Sequence, residues 1–279
     1  MSNDYREKLK NAKRIVIKVG SSTLTHDNGR LYLPRIDRLS MTISELINND
    51  LEVILVSSGA ISAGMGKLNL KERPRIMGIK QALAAIGQCE LMNLYSKMFS
   101  TYNQIVAQVL LTKNDVDDPV KLKNIENTFE NLLNQRVLPI VNENDTVSTY
   151  EISSMEQFGD NDTLSAVVAQ LVNADLLIIL SDIDGFYNGN PKECSDYVLI
   201  NTVTEITDKE RDFAGGQGTA MGTGGMVTKL NAADIVTKSG IHMVLANGVD
   251  PLIILDILEG KNIGTLFVGK EKISRNTDK

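Results

Sequence analysis

Four scarcities set the first limits on this 279-residue chain. Cysteine occurs only as Cys89 and Cys194, too few for a disulfide scaffold or a cysteine-built zinc site. Histidine occurs only as His26 and His242, each with an ordinary loop or strand reading. With no Gly-x-Ser-x-Gly elbow, a Ser-His-Asp triad has little to be built from. No apolar run approaches the roughly 18 residues of a membrane span, and residues 1–13 are polar and charged, without the apolar stretch of a leader. The expectation is a cytoplasmic protein with no membrane association. Positive charge is also short: 29 Lys and Arg stand against 35 Asp and Glu, a net charge of −6, which argues against a general nucleic-acid binder. An anionic substrate would have to be met by a few local cations, so any lysine in an apolar setting is informative.

What is present is a foldable α/β pattern. Hydrophobic residues make up 42% of the chain, enough for a sizeable core, and no internal repeat, charge block or linker divides it. The reading is one domain over 1–279. Short β-branched runs at 14–19, 52–56, 105–111, 137–141, 176–180, 243–245 and 265–268 read as strands, several apolar on both faces as in a covered parallel sheet. Helical patterns lie between them: 35–48 after Pro34, 74–102 with a break expected near Gly87, 119–134 opened by Asp118-Pro119, 161–174 and 225–239. This order predicts an α/β/α sandwich around a mainly parallel open sheet, with ligands at the carboxyl ends of the strands. The polar, glycine-containing stretches 142–160 and 185–223 read as lids or binding loops, with a small excursion from the sheet expected in the second.

Five clusters could carry chemistry, and each has a plainer reading. Lys18, followed by Gly20, Ser21 and Ser22, ends an apolar strand where an anion could be held, or simply reaches solvent. Ser57-Ser58-Gly59-Ala60 turns from a strand into a helix start, which lets a ligand approach the backbone. Asn142-Glu143-Asn144-Asp145 and Gly159-Asp160-Asn161-Asp162 are ordinary turn and N-cap compositions taken singly, yet two in succession suit binding an amino group or orienting lysines. Ser181-Asp182 is a polar tip on a buried strand, and a turn explains it adequately. Finally, Gly222-Thr223-Gly224-Gly225-Met226-Val227-Thr228-Lys229 enters a helix as a phosphate cradle would, or as a flexible capped loop would. It is neither a Walker A loop nor a full Gly-x-Gly-x-x-Gly, which leaves a nicotinamide-dependent oxidoreductase weakly supported.

Taken in order, Ile-Lys18-Val-Gly-Ser-Ser, Val-Ser-Ser58-Gly-Ala-Ile, Asn-Glu-Asn-Asp145, Gly-Asp-Asn161-Asp162-Thr-Leu-Ser-Ala, Ser181-Asp182-Ile-Asp-Gly-Phe-Tyr and Gly-Thr-Gly-Gly-Met-Val-Thr-Lys229 resemble the glutamate 5-kinases, of the amino-acid kinase type. Single pieces occur in acetylglutamate, uridylate and aspartate kinases too; the set, spanning about 14–268, is specific.

The resemblance implies transfer of the ATP γ-phosphoryl group to the side-chain carboxylate of L-glutamate for proline synthesis, with Mg²⁺ bridging the ATP phosphates and no direct protein ligand assigned to it. It implies catalytic roles for Lys18, Lys229 and Asp162, and glutamate binding by Ser58, Asp145 and Asn161. It assigns nucleotide binding to Lys18, Ser181, Asp182, Thr223, Gly224, Gly225, Met226, Val227, Thr228 and Lys229, with backbone approach at Gly20, Gly59 and Gly224. It divides the domain into a glutamate part, about 1–170, and a nucleotide part, about 171–270. Inhibition by proline, a homo-oligomer and hand-over to a glutamyl phosphate reductase also come with it. Many members continue into an RNA-binding PUA domain after the last strand; none is expected here, and no RNA partner. An acetylglutamate kinase and a non-catalytic nucleotide-binding sensor are the rival readings.

Overall fold

The computed structural model describes residues 2–26, 28–147, 158, 160–189, 197–215 and 225–270. The chain opens with α1 (Ser2–Glu7) and a 3-10 turn, then β1 (Arg14–Val19), the short α2 (Ser21–Leu24) and α3 (Leu33–Asn48). β2 (Glu52–Ser57) leads through α4 (Ala60–Lys67) to the long α5 (Met77–Thr101) and β3 (Val106–Leu111). After α6 (Lys113–Asp117) and α7 (Pro119–Asn134) come β4 (Leu138–Glu143), α8 (Asn161–Leu171) and β5 (Leu176–Ser181). β6 (Thr202–Val203), α9 (Asp208–Phe213), α10 (Met226–Lys238), β7 (His242–Asn247), α11 (Ile253–Leu258) and β8 (Thr265–Phe267) complete it. None of the described helices is long and apolar enough to cross a membrane.

The eight strands form one sheet in the order β3-β4-β2-β1-β5-β7-β8-β6, parallel except for the β7–β8 pair. The cause is visible in β1, whose RIVIKV run is apolar at consecutive positions and therefore buries both faces. Ile15, Ile17 and Val19 point into a core shared with α3, α5 and α11. Val16 points into the opposite core, shared with α7, α8 and α10. Strand alternation puts Lys18 on the Val16 side, toward α8 and α10. The chain moves from β1 to β2 on one side and later to β5 on the other, so a crevice opens at the carboxyl ends of the central strands.

Helix ends follow local chemistry. Asp118 caps α7 by accepting from the amides of Val120 and Lys121, with Pro119 as the first helical residue. Asp160 caps α8 by accepting from Thr163 N at 2.8 Å, which fixes the start of the helix that carries Asn161 and Asp162.

One feature corrects the sequence reading and two add to it. α5 runs unbroken through Gly87, whose role is packing: a methyl there would strike the Ala60 carbonyl oxygen and the Gly64 amide of α4. The described part of the 185–223 stretch makes an antiparallel bridge, Tyr187 to Leu199, and then returns to the main sheet as β6 beside β8. The polar N-terminal stretch is helical and anchored: Arg6, 2% exposed, donates to the carbonyls of Asn201, Lys261, Ile263 and Gly264.

Gly87→Ala should therefore destabilise the fold by about 1–3 kcal/mol through overpacking. Gly78→Ala, in the same helix with open space around the new methyl, should stabilise it by up to about 1 kcal/mol. Urea midpoints of the two variants check this, and equal shifts would contradict the packing role of Gly87.

Candidate active site

A cleft of about 410 Å³ opens at the carboxyl ends of β1, β2, β4 and β5. Lys18 enters it from β1, Ser58 from the end of β2, Asn142 and Glu143 from β4, Ser181 and Asp182 from β5, Asn161 and Asp162 from α8, and Lys229 from α10. The turn after β2 depends on Gly59, whose φ of 98° lies in the left-handed region that a residue with a Cβ rarely adopts. A smaller cleft of about 240 Å³, lined among others by Ile47, Asp50 and Arg136, lies at the amino ends of β2 and β4, away from these groups.

At the centre, one carboxylate stands between two ammonium groups. Lys18 Nζ is 2.5 Å from Asp162 Oδ1, an ion pair outside ordinary hydrogen-bond directions, and Lys229 Nζ is 3.2 Å from Asp162 Oδ2. Thr228 Oγ1 lies 2.9 Å from Asp162 Oδ2 and 2.7 Å from the Gly225 carbonyl oxygen. Exposure is 7% for Lys18, 5% for Lys229 and 1% for Asp162. Burial pushes the Asp162 carboxyl up, but the two lysines outweigh it and hold its pKa below the ordinary value. Two lysines around one aspartate sum to one positive charge, placed where an anion can reach it.

The wall beneath β4 has the opposite sign. Glu143, Asp145 and Asp160 all line the cleft. Burial, joined by the charges of Asp145 and Asp160, raises the Glu143 pKa to about 7. Burial raises Asp145 while Arg73 pulls it down, and burial raises Asp160, with Asp162 adding repulsion. Three carboxyls in one wall, each resisting ionisation, favour a cationic partner. Beside them is an amide relay: Asn161 Nδ2 donates to Ser58 Oγ at 2.7 Å and to Asn142 Oδ1 at 3.2 Å, and Asn142 Nδ2 donates to Gln88 Oε1 at 2.9 Å.

Of the residues expected from sequence, the structure brings Lys18, Ser58, Asp145, Asn161, Asp162, Ser181, Asp182 and Lys229 into this cleft, with Thr228 held against Asp162. Ser181 Oγ donates to Asp182 at 3.1 Å. Gly225 caps α10, while Met226 packs against the core and Val227 is exposed, so the cleft lining does not include those two side chains. Thr223 and Gly224 lie outside the described residues. The sequence assigns no role to Glu143, Arg73 or Gln88, although Glu143 lies within Asn-Glu-Asn-Asp145 and its place at a strand end is the available signal.

An open α/β sheet with a buried Lys–Asp–Lys cluster at its carboxyl edge defines a class of small-molecule proteins that handle anions at a topological switch point. Residues 13–247 match the sequence model of the amino acid kinase family, and the chain belongs to that family. Its relatives include the glutamate 5-kinase of Clostridium perfringens, 53% identical over 95% of this chain and 99% of that one. Those of Listeria monocytogenes (52% identical, 96% and 97% covered) and Enterococcus faecalis (53%, 94% and 97%) match similarly. Among solved structures, a carbamate kinase from Giardia lamblia bound to AMP-PNP superposes with a TM-score of 0.65 at 15% identity over 93% of this chain and 99% of that one. A T. acidophilum isopentenyl phosphate kinase gives 0.62 at 17%, over 91% and 99%. At that identity these two speak for the fold.

The Glu143 shift has a sign that can be measured. Its folded pKa is raised above the ordinary 4.5 to about 7, so the folded protein holds the proton longer than the unfolded chain. Stability should fall as pH rises from about 4.5 to 7 and level off above. Glu143→Gln should flatten that slope, gaining on the order of 1–3 kcal/mol over wild type at pH 8 relative to pH 5. Urea unfolding at the two pH values reads this; parallel profiles would contradict it.

Proposed function

We propose that this chain transfers the γ-phosphoryl group of ATP to the side-chain carboxylate of L-glutamate, giving L-glutamyl 5-phosphate for proline biosynthesis. The observation that carries the proposal is the junction itself: a buried Lys18–Asp162–Lys229 centre between an acidic, amide-lined wall and the β5–α10 wall. The named activity of relatives sharing about half of all residues over nearly their whole length supports it.

The reaction brings one anion onto another. At about 4 Å and an effective dielectric near 20, each like-charge pair costs about 4 kcal/mol, so neutralisation and positioning supply most of the catalysis and no protein nucleophile is needed. Asp145, with Glu143 beside it, takes the glutamate ammonium; Ser58 and Asn161 hold its α-carboxylate. The side-chain carboxylate then extends toward Lys18, the glycine at Gly20 leaving its approach open. Lys18 and Lys229 meet the transferring and leaving oxygens from opposite sides, and Asp162 fixes the spacing between them. Ser181, Asp182 and the start of α10 from Gly225 line the nucleotide, with Thr223 and Gly224 assigned to it from the sequence. In this reading the glutamate part of the domain, about 1–170, meets the nucleotide part, about 171–270, at β1.

Magnesium fits as a passenger of the nucleotide. Among the described residues no three His, Cys, Asp or Glu side chains are grouped to cage a metal, and Asp182, at the nucleotide wall, is the kind of single carboxylate that suits an ion held mostly by phosphates and water. Bound there, Mg²⁺ would neutralise charge on the β- and γ-phosphates. Proline, another zwitterion, would compete for the ammonium and carboxylate contacts, and the acyl phosphate product suits prompt use by a reductase. A cytoplasmic homo-oligomer completes the proposal. Acetylglutamate is a poorer acceptor on this wall, since it has no ammonium group to set against Glu143, Asp145 and Asp160.

ADP release with glutamate, acetylglutamate, aspartate and no acceptor tests the substrate: glutamate alone should drive turnover, and equal rates with acetylglutamate would overturn the choice. Lys18→Met and Lys229→Met should each lower kcat by about 10²–10³-fold with folding intact by circular dichroism. Asp145→Asn should instead raise KM for glutamate while changing kcat less and sparing KM for ATP, because an ammonium contact acts alike in ground and transition states. Steady-state kinetics decide both; near-normal turnover in either lysine variant would refute its role.

A further inference from the structure

We infer that Gln88, on α5 behind the cleft wall, is a positioning residue that secures the hydrogen-bond polarity started by the Glu143 amide and thereby keeps Ser58 a donor toward the acceptor's carboxylate. The identity of that carboxylate rests on the glutamate reading; the polarity itself does not.

One group in this wall cannot be turned around. Side-chain amides can flip, but a backbone N–H can only donate. Glu143 N donates to Asn142 Oδ1 at 2.9 Å, so the oxygen of Asn142 faces that amide. Its NH₂ group then faces Gln88 at 2.9 Å, and the Gln88 atom there must be the acceptor Oε1. Asn142 is 2% exposed, so this N–H has no ready recourse to bulk water and losing its acceptor would leave a buried donor unpaired. The fixed Asn142 Oδ1 also takes Asn161 Nδ2 at 3.2 Å, which pins the Asn161 NH₂ on this side. The second proton of that NH₂ goes to Ser58 Oγ at 2.7 Å. Ser58 is thus an acceptor from within the wall, and its single proton is turned elsewhere, on a side chain that lines the cleft.

The result is a one-way chain from a strand-end amide to a hydroxyl proton offered to an anion. The ammonium-binding carboxyls Glu143 and Asp145 lie on the same wall, so the chain also sets which end of a zwitterion goes where. Without an acceptor at Gln88, Asn142 keeps its orientation against Glu143 N only by leaving its buried NH₂ unsatisfied, and the hold on Asn161 and Ser58 is weakened.

Two substitutions separate this role from packing. Gln88→Leu keeps the size and removes the acceptor; Gln88→Glu keeps an acceptor at the same reach. The relay predicts that Gln88→Leu raises KM for glutamate at least tenfold, with KM for ATP within about twofold, while Gln88→Glu restores KM for glutamate to within about threefold of wild type. A packing role predicts the reverse order, since the apolar isostere suits a helix interior better than a charge. An unmoved KM in Gln88→Leu, or equal impairment in both, overturns the inference. Wild type run alongside keeps the two claims apart: failure to phosphorylate glutamate sinks the substrate reading alone. Urea unfolding needs no acceptor at all. Gln88→Leu combined with Asn161→Ala should shift the midpoint by less than the sum of the single shifts, and additive shifts would overturn the relay.

Discussion

Everything at this site depends on keeping three charges out of water together. An aspartate that is 1% exposed would be costly alone, and so would either lysine. The cluster is tolerable because each carboxylate oxygen of Asp162 has its own ammonium partner and Thr228 adds a further polar contact. The fold meets this demand from three directions: β1 delivers Lys18, the capped start of α8 delivers Asp162, and the first turn of α10 delivers Lys229. None of these elements can shift far without unpairing a buried charge. Rigidity at the carboxyl edge is therefore a consequence of electrostatics as much as of the cores packed behind it.

The second constraint is separation of sign. Lys18 and Lys229 occupy the α8–α10 side of the sheet, while Glu143 and Asp145 stand at the end of β4, with Asp160 between them and Asp162 at the start of α8. A zwitterion with a distal carboxylate complements that arrangement along its length, ammonium at one end and reactive oxygen at the other. In the proposed reading a nucleotide takes the remaining wall, where Ser181 and Asp182 lie at the end of β5 and Lys229 enters from the first turn of α10.

Much of this was legible in the residues. RIVIKV could be bounded as a strand to the residue because apolar side chains at successive positions leave no other economical place for it than a covered sheet. Lys18, Asp162 and Lys229 each have a plain reading when taken alone, and the resemblance singles them out together; the structure places the three side by side. Glu143 was missed as a site residue for a specific reason. Hydropathy ends β4 at Val141, yet the strand continues because Asn142 and Glu143 still have partners in β3, Leu110 and Leu111. Gly87 misled in the same way: in isolation glycine weakens a helix, and only the backbone of α4 lying against it shows why it is there. Arg6 acts through carbonyls 195 to 258 positions away and Gln88 through an amide 54 away, and no local period can announce such contacts.

In the proposed reaction Asp162 works by organising two lysines for the moment of transfer and not by holding substrate. The direct measurement is steady-state kinetics of Asp162→Asn, with its fold checked by circular dichroism. The variant keeps the shape and removes the charge that spaces Lys18 and Lys229. It should bind glutamate and ATP with KM values within a few-fold of wild type, while kcat falls by about 10²–10³-fold. A near-normal kcat with a large rise in KM for glutamate would contradict the account, and would make Asp162 part of the substrate wall.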